Sequence, residues 1–546
     1  MANAAAATEK KPGWLGTVER IGNKVPHPVL MFLYLIIGVI VLSHILYVMG
    51  VSVTEDIAVP NTVPSELNFY EDTVAPGESY PTDPYGVEYE IKTQTIPIRS
   101  LLTVEGIRFI FTSFLPNFAG FSVVAVVFVA MMGAGVAEES GLMTALIHKL
   151  VAISPRWALS FIIIFVGVLS SVATDAGYLI LIPLGAAAFL SVKRHPLAGV
   201  AAAYGGVSAI FAVNLLITPL DAMLTEITNE AISLAGGEPI TIVANFYFQV
   251  VMALILSIVA AIVTDRIVEP RLGKYEPAGD QVDGAATDQP IDKAAQARGM
   301  RFAGLATLVF VALILLLTLP SGAPLRDPMT GGIIGATPFM DSLLFIIMLV
   351  FLIAGIAYGM GAKTLQGSGD VIKAITKTFA SLAGLVFMLL MIAQFIAYFN
   401  FSNMPSVLAV TLAGWLEQAN IGAIPLLIGF MVVILLLDII IPGSMPKWAI
   451  FAPIFVPLFM RLGTAPQTVL AAYRVGDSPM NVITPLMVYL PFIIIVMQRY
   501  QKDVGIGTVI ALMLPYTLIL TVVWIVLFVL WYLLGIPLGP GYPVGI

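Results

Sequence analysis

The chain has 546 residues, 59% of them hydrophobic and only 11% charged, against about 45–50% and ~25% in ordinary soluble domains. At a mean hydropathy of +0.97 there is too little polar surface to cover such a core in water, and a formal net charge of −7 offers no basic footprint for nucleic acid. With no cysteine there can be no disulfide framework, thiolate metal site or cysteine nucleophile, and His27, His44, His148 and His195 lack the paired spacing of a zinc site. These features describe a polytopic membrane protein embedded in a lipid bilayer.

A spanning helix needs ~20 mostly apolar residues. Nine stretches qualify, at 28–49, 117–137, 197–218, 243–264, 302–320, 341–361, 378–400, 467–496 and 509–535. Residues 1–27 form an N-terminal segment with Lys10, Lys11, Arg20 and Lys24, which the positive-inside rule places in the cytoplasm. The segment 50–100 then falls outside. It carries Glu55, Asp56, Glu66, Glu71, Asp72, Glu78, Asp83, Glu88 and Glu90 against Lys92 and Arg99, and is either an ordered cap or a solvated loop. The linker 265–301, rich in Arg and Lys, returns to the cytoplasmic side, as does the Arg499/Lys502 stretch.

Two apolar stretches do not fit as simple spans. Residues 157–192 have basic flanks at both ends (Arg156, and Lys193 with Arg194) and a polar centre, Ser170 to Gly177, that includes Asp175. Arms of 13 and 15 residues reach only ~20 Å, short of the ~30 Å hydrocarbon core. The reading is a re-entrant helical hairpin. Residues 424–460 repeat the logic around a tip running from Asp438 to Lys447, and by topology counting this hairpin enters from outside.

The hairpins are related by an internal repeat. At an offset of 270, Tyr178 falls on Trp448, Pro183 on Pro453, Phe189 on Phe459 and Pro196 on Pro466. One residue out of that register, Ala202-Ala203-Tyr204 falls on Ala471-Ala472-Tyr473, and Asn214…Thr218-Pro219 then matches Asn481…Thr484-Pro485. The expected fold is therefore all-α, with nine transmembrane helices plus two re-entrant hairpins in inverted-topology repeats. The first repeat spans 28–264 with hairpin 157–192, helix 302–320 joins, and the second spans 341–535 with hairpin 424–460. Such repeats mark secondary transporters, whose site lies at the midplane where broken helices meet.

Ionisable residues at membrane depth are expensive and point to function. Asp175 sits at the first tip, as a ligand, as a helix N-cap, or as both. Helix 467–496 is interrupted between Arg474 and Pro485, with Asp477, Pro479, Asn481 and Thr484 inside the interruption. Arg474 and Asp477 are three apart, close enough to pair on one face. Arginine also suits a planar carboxylate. Asp438, Ser444, Lys447 and Trp448 flank the second tip, where Lys447 either snorkels or pairs with a carboxylate. Gln394, Asn400, Ser402 and Asn403 mark another break, and oxygen-rich unwound backbone suits Na⁺. Asn214, Thr218 and Asp221 are the counterparts in the first half, with Asp221 placed near the outer surface.

Several segments resemble the AbgT-type family of aminobenzoyl-glutamate transporters over roughly 25–535. They are Ser-Ser-Val-Ala-Thr-Asp-Ala-Gly-Tyr at 170–178, Arg-His-Pro-Leu-Ala-Gly at 194–199, Phe-Asn-Phe-Ser-Asn at 399–403, Lys-Trp-Ala-Ile-Phe-Ala-Pro at 447–453 and Ala-Ala-Tyr-Arg-Val-Gly-Asp-Ser at 471–478. The resemblance implies a bowl-shaped homodimer with nine spans and two hairpins per protomer, in the bacterial inner membrane. It also implies uptake of p-aminobenzoyl-glutamate or export of sulfonamide antimetabolites, driven by Na⁺ or protons. Family functional positions match at Asp175, Trp448, Pro466, Arg474, Asp477 and Pro485. Two departures stand out: Asp438 replaces the usual Asn, and Met445 replaces a tip serine.

The expectation is an ion-coupled carrier of small aromatic amide or carboxylate solutes. Expected substrate contacts are Asp175, Asn214, Ser444, Trp448, Pro466, Arg474, Asp477 and Pro485, and expected ion-coupling residues are Asn400, Asn403, Asp438, Asp477, Asn481 and Thr484. No cofactor is expected beyond Na⁺ or H⁺ as coupling ion. A proton-driven efflux pump is the alternative. A passive channel would want a continuous polar stripe, and an intramembrane hydrolase would need a base near Ser170 or Ser444; no nucleotide-binding loop for ATP is present.

Overall fold

A computed structural model describes residues 28–60, 89–152, 154–171, 177–275, 292–334, 337–418, 422–439, 441 and 443–545. The chain begins with α1 (Pro28–Val48), apolar on every side as a lipid-facing helix should be. An antiparallel ribbon follows, β1 (Ser52–Pro60) on β2 (Tyr89–Pro97), with Ser52 opposite Pro97. The acidic segment is thus ordered at both ends, and 61–88 lie outside the described residues.

Next come α2 (Val104–Ala119) and α3 (Ser122–Glu139), which together make a 36-residue apolar run. The stretch 117–137 foreseen from hydropathy covers only its second part, because Glu105 and Arg108 lower the hydropathy of the first. Short α4 (Leu142–Ala152) leads into the first hairpin: α5 (Leu159–Ser170), then a wide turn Gly177–Leu181 continuing into α6 (Ile182–Ser191). After it, α7 (Pro196–Tyr204) starts on a proline, the position where a missing N–H costs nothing. It loosens over 205–209 and gives way to turns and irregular chain before α8 (Pro219–Ser233). The segment foreseen as a span at 197–218 is therefore half a helix and its break. Thr218 and Asp221 restart the winding with reciprocal side-chain-to-backbone bonds.

α9 (Phe246–Val263) continues helically to Leu272, and α10 (Lys293–Thr318) begins nine residues before the stretch foreseen at 302. Both protrude past the apolar limit because polar residues sustain a helix in water as well as in lipid. α11 (Leu343–Ala362), α12 (Ser368–Ser381), α13 (Ala383–Phe401) and α14 (Met404–Gln418) precede the second hairpin. That hairpin is α15 (Ala423–Asp438) and α16 (Ser444–Arg461), joined through Gly443 at φ +113°. α17 (Pro466–Asp477) again starts on proline, breaks, and is followed by α18 (Leu490–Gln498) and α19 (Ile506–Leu533). Among the described residues seven helices are long and apolar enough to cross a membrane; of the other two foreseen stretches, 197–218 is α7 with its break, and 467–496 is the broken pair α17/α18.

The packing repeats as the sequence does. α5 and α6 flank α7, as α15 and α16 flank α17. The partners then cross over: α16 of the second hairpin packs on α8 of the first broken pair, and α6 packs on α18. Small residues permit the close approaches. A Cβ on Gly199 would lie 2.2 Å from the Gly185 carbonyl oxygen, so α6 and α7 meet backbone to backbone.

Candidate transport site

The second tip and the break after α17 build one buried cluster. Lys447, in the first turn of α16, is 0% exposed and donates to Asp438 at the end of α15. Its Nζ also lies 2.7 Å from Asp477 Oδ1, at the end of α17. Asp477 accepts further hydrogen bonds from Ser444 Oγ and, at 3.0 Å, from Tyr473 OH. Two carboxylates thus share one ammonium with no water-exposed surface. Asp438 Oδ2 is buried with no hydrogen-bond partner among the described residues.

Arg474 points the other way. Its NH1 lies 2.7 Å from Asp221 Oδ1 in α8 and donates to the Ala212 carbonyl at 2.9 Å, while Nε reaches Asn245 at 3.3 Å. The Asp221 carboxylate is already held by Thr218, at 2.7 Å from N and 2.8 Å from Oγ1. The anticipated Arg474–Asp477 pair is therefore replaced by two others. Three residues apart on α17, the two side chains diverge, one toward the first repeat and one toward the second hairpin. Asp221, placed near the outer surface from sequence, is 2% exposed. Its position inside follows from the unwound chain at 210–218, which starts α8 at depth.

Further bonds lock the two breaks together. Ala212 N donates to Ser478 Oγ at 2.9 Å, and Tyr204 OH to the Asn481 carbonyl at 3.1 Å. Aromatic pairs occupy matching places in the repeats: Trp448 lies 4.5 Å from Tyr473 with the rings tilted by 34°, and Tyr178 lies 6.5 Å from Tyr204. Each also crosses to the other repeat. Trp448 Nε1 donates to Thr228 at 2.9 Å in α8, and Tyr178 stacks 4.2 Å from Tyr489 beside α18.

With this arrangement in view, the chain was compared with known proteins. A model of the AbgT putative transporter family matches residues 13–546. The chain belongs to that family. It is 34% identical over 543 residues to the p-aminobenzoyl-glutamate transport protein of Escherichia coli (strain K12), covering 99% of this chain and 98% of that protein. The crystal structure of the Alcanivorax borkumensis YdaH transporter, noted for an unusual topology, is 37% identical with a TM-score of 0.82, over 94% of this chain and all (100%) of that one. Neisseria gonorrhoeae MtrF, representing a class of antimetabolite efflux pumps, is 33% identical with a TM-score of 0.82, over 97% of this chain and 100% of that one. The chain is thus a multi-pass membrane transporter and not an enzyme.

The fold gathers Asp438, Ser444, Lys447, Trp448, Asp477 and Asn481 around the second tip, with Arg474 one turn away facing the first repeat. Thr484 joins them by donating to the Ile439 carbonyl at 2.9 Å. Asn214 does the equivalent work in the first half, donating to Val168 O at 2.7 Å and Ser171 Oγ at 2.8 Å. Asp175 lies outside the described residues. Pro466 sits at the far end of α17, about 12 Å of helix rise from Arg474; Pro485 lies in the break.

The anticipated break around 394–405 is different in kind. α13 runs unbroken to Phe401, and Gln394 locks it to α2, accepting from Asn117 and donating to Phe114 O, both at 2.9 Å. Asn403 takes the left-handed turn at φ +60° and spends its amide on Pro97 O at 2.9 Å, beside the ribbon. Neither residue joins the central cluster. Asn400 Oδ1 is buried without a partner among the described residues. Sequence reasoning missed Tyr473, Asn245 and Thr228 as members of the cluster. Tyr473 carried a signal, since it repeats Tyr204; Asn245, in the turn before α9, and Thr228, within α8, carry none, because their role depends on tertiary contact.

Proposed function

We propose that this transporter is an ion-coupled secondary carrier of p-aminobenzoyl-glutamate-like aromatic amide or carboxylate solutes. It works without ATP as a homodimer in the bacterial inner membrane, with its N-terminus cytoplasmic. One observation carries the proposal: a fully buried Asp438–Lys447–Asp477 triad adjoins an Arg474–Asp221 pair that ties the two repeats together. The triad counts two carboxylates against one ammonium, and an uncompensated buried charge is costly. A proton or Na⁺ is its natural complement. Binding there weakens the hold of Lys447 on Asp477, and so of the second hairpin on α17. An incoming solute carboxylate competes with Asp221 for the fork of Arg474, which favours planar anions. Ion and solute thereby bias the same inter-repeat contacts from two sides, as coupled transport requires. Trp448 and Tyr473 offer the aromatic face for the ring, with Asp175, Asn214 and Ser444 at the two tips. Asn481 and Thr484 supply neutral oxygens beside the ion.

The test is uptake of labelled p-aminobenzoyl-glutamate into proteoliposomes under separately imposed Na⁺ and proton gradients. One gradient should drive accumulation, and both Arg474→Lys and Asp477→Asn should abolish or uncouple it. Wild-type accumulation by both variants, still gradient-dependent, would overturn the reading. The likeness to MtrF supports a second reading, proton-driven efflux of sulfonamide-type antimetabolites. It requires solute to leave against its gradient, which sulfonamide-loaded vesicles distinguish from uptake. Equilibration that ignores both gradients would mark a passive channel.

A further inference from the structure

Far along the chain from the central cluster, a cavity of about 660 Å³ opens between α4 and the first turns of α10. Its walls are two helical stripes. Ala145, His148, Lys149 and Ala152 line it from α4, and Lys293, Gln296, Ala297, Met300 and Arg301 from α10, each set recurring at three- and four-residue steps. Three permanent cations and a histidine therefore face one space whose described lining includes no carboxylate. No ion pair ties Lys149, Lys293 or Arg301 to another described residue. The nearest acid along α10, Asp292, is spent as its N-cap, accepting from Ala294 N at 2.9 Å and Ala295 N at 3.1 Å.

Immediately beyond Arg301 the character of α10 changes. It becomes apolar and exposes Phe302, Leu305, Leu308 and Val309 along its length, and only 6% of its most apolar window is buried by the rest of the chain. The cations thus sit at the membrane boundary, with a bare apolar face leading from them into the hydrocarbon. A soluble anion would use the cations and leave that face idle. A phospholipid uses both.

We propose that this cleft binds an anionic phospholipid, its phosphate held by Lys149, Lys293 and Arg301 and its acyl chains laid along α10. Basic pockets between membrane helices bind such headgroups, with affinity changing about fivefold for each charge near the surface. The site is independent of the transport reading.

The test uses the purified full chain in native mass spectrometry, titrated with phosphatidylglycerol, phosphatidylethanolamine, glycerol phosphate or inorganic phosphate. Phosphatidylglycerol should remain bound while the other three do not. The triple variant Lys149→Gln, Lys293→Gln, Arg301→Gln should weaken it roughly a hundredfold. All three residues are exposed, so the fold should survive, as the unchanged melting of the variant would verify; Lys502→Gln, an exposed cation elsewhere, should leave binding unaltered. Leu308→Gln should weaken binding with every charge intact. Equal retention of phosphatidylglycerol by the triple variant would overturn the proposal. So would equally tight binding of glycerol phosphate or inorganic phosphate, which would make this a site for soluble anions. Disulfide formation between two copies through a cysteine placed at Ala297 would also overturn it, because the cleft would then be a subunit interface.

Discussion

Lys447 is the residue whose loss should be felt most. It is fully buried and compensates Asp438 and Asp477 at once. Removing one partner of a buried ion pair typically costs about 3–5 kcal/mol, since the abandoned charge stays in a medium that solvates it poorly. Lys447→Met abandons two carboxylates, so the loss should reach at least that range, moderated by protonation of one of them. Asp438→Asn is the informative contrast. The amide oxygen can still accept from Lys447, the Lys447–Asp477 pair is kept, and the surplus negative charge is gone. Its cost should be below ~1 kcal/mol, and a gain is allowed because an unpartnered carboxylate oxygen is removed. In the double variant only Asp477 is abandoned, so Asp438→Asn should recover about 1–3 kcal/mol of the damage done by Lys447→Met, a coupling of the size expected for contacting groups. The measurement is reversible SDS unfolding in mixed micelles, which gives each free energy directly. Equal destabilisation by Asp438→Asn and Lys447→Met, or strict additivity in the double variant, would refute the shared-ammonium account.

Four other outcomes follow from the same structure. Gly199→Ala would drive a methyl into the Gly185 carbonyl and should cost ~1–3 kcal/mol in the same unfolding assay, while Gly414→Ala, with open space around it, should cost nothing measurable. Asp221→Asn should be strongly destabilising alone yet largely rescued by adding Arg474→Met, and additive losses would show that the two residues do not depend on each other. In the loop after α10, hydrogen bonds from Thr330 backbone and side chain, aided by Met329, hold the Asp327 carboxyl below its ordinary value. Its folded value being depressed, its contribution is present above the unfolded value and fades as pH falls through the folded one. Amide exchange at Met329 and Thr330 should therefore accelerate, relative to intrinsic rates, only in acid, and Asp327→Asn should erase that pH dependence. Finally, the natural chain has no cysteine, so single cysteines can be introduced directly. Those at 156 and 193 should label from one side of the membrane and those at 422 and 461 from the other; labelling of either pair from opposite sides would end the re-entrant description of that hairpin.

Much of this architecture is written in one dimension, because hydrocarbon imposes a length and a polarity that any sequence must respect. Arms too short to span, a polar tip between them, and prolines recurring at a fixed offset disclose both hairpins and the repeat without a single tertiary contact. The same rule reveals that Arg474, Asp477, Asp438 and Lys447 are costly where they lie, hence worth attention. What it leaves open is who partners whom. Helical spacing puts Arg474 within reach of Asp477, but spacing gives only reach. In the folded chain Arg474 turns to Asp221 and Asp477 to Lys447, partners separated by 253 and 30 positions. Asp221 looked superficial because an apolar count assumes continuous helix from 197; the chain unwinds instead, and α8 begins at depth. Asn403 looked like an ion ligand because polar residues clustered around it, yet the cluster merely closes α13 and meets the ribbon. Spans, tips and breaks arise from the bilayer acting on each segment separately, and so they are legible locally. The pairing of buried charges arises from two repeats crossing over one another, and only the tertiary structure decides it.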